Sequence, residues 1–171
     1  NNQEIIFLYD MLQKKEEEMK STMNKMEQMR RENKELFDRI EELKQAGFEV
    51  DVCPSYHDLE VENGVSPMNF VKMLNHDKRT DFIANHDFAL VVINVKGYAQ
   101  ENWVRVRWSC NHSCELPWYN EEIPTIGMSL NYTNHLIDVP QLHTFINAYG
   151  PNRSHIRAAI EKLTGKSKFK G

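Results

Sequence analysis

The chain has 171 residues, 27% of them charged and 40% apolar, with a net charge of −4 and three cysteines. The length excludes a complete eight-fold βα barrel, which takes roughly 250 residues, and no run of about 18 apolar residues exists to span a membrane as a helix. The acidic surplus argues against a phosphate-tracking nucleic-acid binder, and three cysteines are too few for a disulfide scaffold. One domain covering residues 1–171 is the economical organisation, with neither nucleic acid nor membrane as a partner.

Taken in order, Glu4-Ile5-Ile6-Phe7-Leu8-Tyr9 is a nearly continuous apolar run and reads as a strand buried on both faces. Residues 11–46 follow without Gly or Pro, and Gln13 to Gln45 holds nine basic and nine acidic residues. That composition predicts a long amphipathic helix ending at Gly47. Leu12, Met19, Met23, Met26, Met29, Leu36, Phe37, Ile40 and Leu43 form a stripe on it. Leu12, Met19, Met26, Asn33 and Ile40 are seven apart, which admits a homodimer through this helix. Glu16 and Arg30 interrupt the seam, so a surface helix on a sheet or a helical hairpin is the alternative.

Phe48-Glu49-Val50-Asp51-Val52 alternates and reads as a second strand. Ser66-Pro67 opens a predicted helix to His76, with Ser66 as cap. The runs 88–95, 123–130 and 144–149 read as three further strands, and Ser154 to Leu163 as a helix capped by Ser154 and closed by Gly165. About five strands alternating with helices predict an α/β chain, a three-layer αβα sandwich with a mainly parallel sheet, flavodoxin-like or Rossmann-like in outline.

The reactive side chains match no standard catalytic or cofactor motif. Cys110, His112 and Cys114, with His135 and His143, offer soft metal donors, but a second ligand pair at metal-site spacing is missing. Cys53 and His57 are a chance-level thiol and imidazole pair. Gly127-Met128-Ser129 lacks the second glycine of a nucleophile elbow. The turn Leu8-Tyr9-Asp10-Met11 has no glycine, so it cannot cradle a pyrophosphate, and Asp10 with Asp51 lacks the rest of a phosphoacceptor set. Glu121-Glu122 reads as a solvated loop. No cofactor, metal or catalytic residue is therefore expected. Trp103, Trp108, Trp118 and Tyr119 crowd one irregular stretch, where ring faces suit a neighbouring domain or a sugar.

One stretch carries a family likeness. Asn102-Trp103-Val104-Arg105-Val106-Arg107-Trp108, Leu116-Pro117-Trp118-Tyr119-Asn120-Glu121-Glu122-Ile123-Pro124-Thr125, His135-Leu136-Ile137-Asp138-Val139-Pro140 and Thr144-Phe145-Ile146-Asn147-Ala148-Tyr149 resemble the C-terminal domain of glycoside hydrolase family three, of the β-N-acetylhexosaminidase type. The likeness covers residues 86–171 and, loosely, 46–60. It implies an α/β sandwich packed on an N-terminal barrel that carries the catalytic aspartate and a His and Asp pair. Those motifs are absent here, so the isolated chain is expected to be inactive. Arg105, Trp108, Trp118 and His135 are then the candidates for the interdomain contact or cleft rim. After Leu130 the family tends to place Asn-Pro-Tyr before the histidine, whereas this chain has Tyr132-Thr133-Asn134. The substrate of the parent enzyme and its compartment stay open.

Overall fold

A computed structural model describes residues 2–52, 79–96, 105–106 and 117–170, with the side chains of residues 2–7 left aside. Helix α1 runs Asn2–Gln45, helix α2 Arg79–Asn85, strand β1 Ala89–Ile93, strand β2 Thr125–Ser129, strand β3 Thr144–Asn147 and helix α3 Arg153–Leu163. Two 3-10 turns, Trp118–Glu121 and His135–Asp138, flank β2. The three strands form one parallel sheet in the order β1-β2-β3, with Ala89 opposite Thr125 and Ile126 opposite Thr144.

Pleating divides the strand residues between two faces. Leu90, Val92, Ile126, Met128, Leu130, Ile146 and Ala148 meet Leu43, Ala46 and Phe48 at the end of α1 and Ile156, Ala159, Ile160 and Leu163 of α3. Val91, Ile93 and Phe145 point the other way, onto Val95, Val106, Val139 and Leu142. Gly127 makes the second face possible: a Cβ there would lie 2.4 Å from Phe145 Cδ2 and 3.0 Å from Leu142 Cδ1. The bare backbone of β2 lets the Phe145 ring lie across it.

The absence of Gly and Pro allows α1 to continue for 44 residues, about 66 Å at 1.5 Å per residue. Its end is a Schellman motif at Gly47 (φ +100°), where Gly47 N donates to Lys44 O and Phe48 N to Leu43 O. Helix α3 begins at Asn152, whose Oδ1 accepts from His155 N at 3.1 Å, and ends before Gly165 at φ +73°.

Three expectations are corrected. Residues 4–9 are the first turns of α1 and not a strand, because five consecutive apolar residues satisfy either period and no Gly or Pro separates them from the helix that follows. Residues 48–52 join no ladder: Phe48 is half-buried as the residue that closes the Schellman motif, while Val52 is exposed. The described sheet therefore has three strands where about five were expected. The cap of α3 is Asn152, two residues before Ser154, because its short amide reaches the His155 N–H. The predicted helix 66–76 lies outside the described residues.

Candidate functional site

Parallel α/β sheets present their ligand-facing loops at the carboxyl ends of the strands, where successive loops converge. In this chain those loops are 94–96 after β1, 130–138 after β2 and 148–152 after β3. All three carry polar side chains.

The turn after β2 is built around Ser129 and His135, both fully buried. Ser129 Oγ lies 2.8 Å from His135 Nδ1 and also donates to Tyr132 O. A hydroxyl has one proton, so with Tyr132 O as its acceptor the Nδ1–H of His135 must be the donor to Oγ. The Tyr132 ring stands edge-on to the imidazole, 5.6 Å between centroids. A nucleophilic serine needs its proton directed at a base with an open nitrogen and an accessible oxygen. Here the proton goes to a backbone carbonyl and the pair is sealed from solvent, so the arrangement locks a turn.

The same 3-10 turn ends at Asp138, whose side chain is 5% exposed. Its carboxylate accepts from Arg105 Nε and from Val106 N, the latter at 3.2 Å. Arg105 itself is about half exposed beside the turn. Arg105 and His135, separate in sequence, are thus gathered by one turn.

A second polar chain joins this edge to α1. Asn131 Nδ2 donates to Asn94 Oδ1 at 2.8 Å, and Asn94 Nδ2 donates to Glu35 Oε2 at 2.8 Å. Lys96 Nζ donates to Glu35 Oε1 at 2.6 Å. Burial alone would raise the Glu35 carboxyl, but the hydrogen bonds from Lys96 and Asn94 and the charges of Lys96 and Arg39 hold it below its ordinary value. Burial lowers the Arg39 guanidinium, with the Glu35 charge opposing. Two turns further along α1, buried Glu42 accepts from Arg157 at 2.9 Å and from Arg153, both on α3. Those hydrogen bonds outweigh burial and lower its pKa to about 2.

After β3, Tyr149 adopts φ +61° and is 72% exposed. A non-glycine residue held in the left-handed region at a strand end marks a backbone set by its surroundings. The next residue, Gly150, sits against the His155 ring, where a Cβ would approach Nδ1 to 2.9 Å.

Trp118 is not part of this corner. Its turn precedes β2, at the amino end of the sheet, where it packs at 5.7 Å between centroids on Phe82 of α2 and at 5.5 Å on Tyr119. Trp108, Cys53, His57, Cys110, His112 and Cys114 lie outside the described residues. Among the described residues no group of three or more His, Cys, Asp or Glu side chains is placed to hold a metal ion, and no helix is long and apolar enough to cross a membrane. Sequence reasoning missed Glu35, Asn94, Asn131 and Asp138. The one local signal was a polar residue at the end of each apolar run.

The described class is therefore an α/β domain with a parallel three-stranded sheet, a polar carboxyl edge and a long N-terminal helix. Over 92 residues, 54% of its length, the chain is 32% identical to a β-N-acetylglucosaminidase/β-glucosidase of Cellulomonas fimi, of which the match spans 16%. Half of the chain is thus homologous to a glycoside hydrolase, in agreement with the resemblance to family three. Two solved structures of a β-glucoside phosphorylase, BglX, are similar at 35% and 34% identity, with TM-scores of 0.48 and 0.47. Each match covers 54% of this chain and 16% of that enzyme. No family model matches the chain.

Proposed function

We propose that residues 1–171 form a non-catalytic, C-terminal α/β domain of a family-three glycoside hydrolase acting on terminal N-acetylglucosaminides, and that the domain packs on and supports an N-terminal barrel. The observation that carries this reading is the 32% identity over 92 residues to an enzyme of which that stretch is 16%. The chemistry of the carboxyl edge favours it as well, since the Ser129 and His135 pair spends its donors inside the fold. The second helical layer of a three-layer sandwich belongs to the same proposal.

In this reading Arg105 and Trp118 reach the barrel directly from the two ends of the sheet, both being partly exposed. His135 acts from beneath, by fixing the turn that presents Tyr132 and Arg105, and Trp108 completes the set. Interdomain surfaces commonly bury about 600–1,500 Å² and are more polar than obligate interfaces, which suits this mixture of charged and aromatic side chains.

A chromogenic N-acetylglucosaminide assay on the isolated chain tests the assignment. No turnover above the buffer blank is expected, and turnover would refute it. Grafting this chain in place of the matched stretch of the Cellulomonas fimi enzyme gives the converse measurement. An active chimera supports a supporting role, whereas a folded chimera without activity argues against it.

A further inference from the structure

Helix α1 presents two different faces. Glu35, Asp38, Arg39, Glu42, Leu43 and Ala46 turn toward the sheet and α3. Leu8, Leu12, Met19 and Met26 lie roughly on the opposite side of the axis at 100° per residue, with Met29 and Leu36 at the edge of that stripe. That second face is solvent-exposed throughout, with Met19, Met23, Met26 and Met29 at 61–67%. It reaches the start of the seated segment, where Leu36 and Phe37 are still exposed, and ends there because Leu43 packs into the core. A partner helix can therefore follow the stripe as far as Leu36 and Phe37.

We propose that this face pairs with the same face of a second copy of the chain, antiparallel, with Met26 opposite the partner's Met29. The charges choose this register. Helices flanking an apolar seam place their edge residues against one another, and like charges there are unfavourable. A parallel, in-register pair sets Lys25 against the partner's Arg30, twice over. An antiparallel pair with Met19 opposite the partner's Met29 sets Glu18 against the partner's Glu32, and Lys25 against the partner's Lys25. Sliding by seven residues removes both clashes: Lys25 then faces the partner's Glu32, a contact that occurs twice by symmetry. In the same register Met19 packs on the partner's Leu36. Thr22 meets the partner's Asn33, a polar layer that penalises slippage because a shifted amide loses its hydroxyl partner. The exposed seam from Met19 to Leu36 overlaps over about 27 Å at 1.5 Å per residue.

Sedimentation equilibrium of the full chain tests the proposal. A reversible dimer is expected, whereas a monomer at all concentrations up to about 50 µM, the range of weak specific pairing, would overturn it. Met26→Glu with Met29→Glu should leave a monomer, and since both side chains are largely exposed on α1, the variant should keep the circular dichroism of the folded domain. Lys25→Glu and Glu32→Lys should each raise the dimer Kd about tenfold, as two attractive pairs become repulsive, and the double variant should restore it. Tightening by Glu32→Lys alone would favour the other antiparallel register, and tightening by Lys25→Glu alone the parallel pair. Either result overturns the arrangement proposed here.

Discussion

Ser129 Oγ and His135 Nδ1 are 2.8 Å apart with neither side chain exposed to solvent, which makes the pair a clasp on the loop after β2. Ser129→Ala removes the hydroxyl that links the His135 imidazole to the Tyr132 carbonyl and should cost about 1–3 kcal/mol in urea unfolding. In an active chimera with a barrel, kcat should change little. A large fall in kcat with unchanged stability would instead assign Ser129 a chemical role.

Glu42 makes stability depend on acid. Its carboxyl titrates at about 2 in the folded chain against 4.5 for the unperturbed group, so the folded state favours the ionised form. The contribution is fully present above pH 4.5 and is lost as pH falls toward 2. Melting temperature should therefore hold from neutrality down to about pH 5 and decline below it, as expected for a carboxylate with depressed pKa. Glu42→Gln should be less stable at pH 7 by about 1.5–3 kcal/mol, the worth of hydrogen bonds to a charged group, and should show a flatter acid limb.

Gly127 is a packing requirement. Gly127→Ala drives a methyl into the Phe145 ring and should destabilise by about 1–3 kcal/mol, the usual cost of overpacking. Phe145→Leu, destabilising alone, should recover part of that loss in the double variant, and a thermodynamic cycle from urea unfolding measures the coupling. Additive effects would mean that the ring does not block the site.

Tyr149 stores backbone strain. Tyr149→Gly should raise stability by about 0.5–1 kcal/mol, as glycine takes positive φ freely but has more unfolded-chain entropy to lose. Tyr149→Val should lower it, because a branched Cβ fits that conformation worst. Chemical denaturation of the two variants beside the unaltered chain separates them.

The elements that were legible in the sequence are those whose residues satisfy one period only. The runs around Leu90, Met128 and Ile146 sit between turn residues and are strands, and the stretch from His155 to Leu163 carries one apolar face between a capping amide and a glycine. The apolar run at 4–9 was ambiguous because its length suits either period, and its neighbours on α1 decided for helix. The site was legible only in fragments. Arg105 and His135 were singled out, but their common turn depends on Asp138, and the Glu35, Asn94 and Asn131 relay joins segments 59 and 37 residues apart. No local pattern encodes such contacts, since they arise only after β1 and β2 have paired and α1 has docked.

The seating of α1 has a mechanical consequence. Among the described residues its fastened part is the last three turns, held by Glu35 to the strand ends, by Glu42 to α3 and by Leu43 in the core, while the remainder extends as a stiff rod. A force applied near Leu8 acts through a long arm on a short one, so the load is concentrated on that seat. Glu35 delivers its share through Asn94 and Asn131 to the loop that Ser129 clasps. Any body that grips the far end of the rod can therefore tilt the carboxyl edge of the sheet by pulling on that short seat.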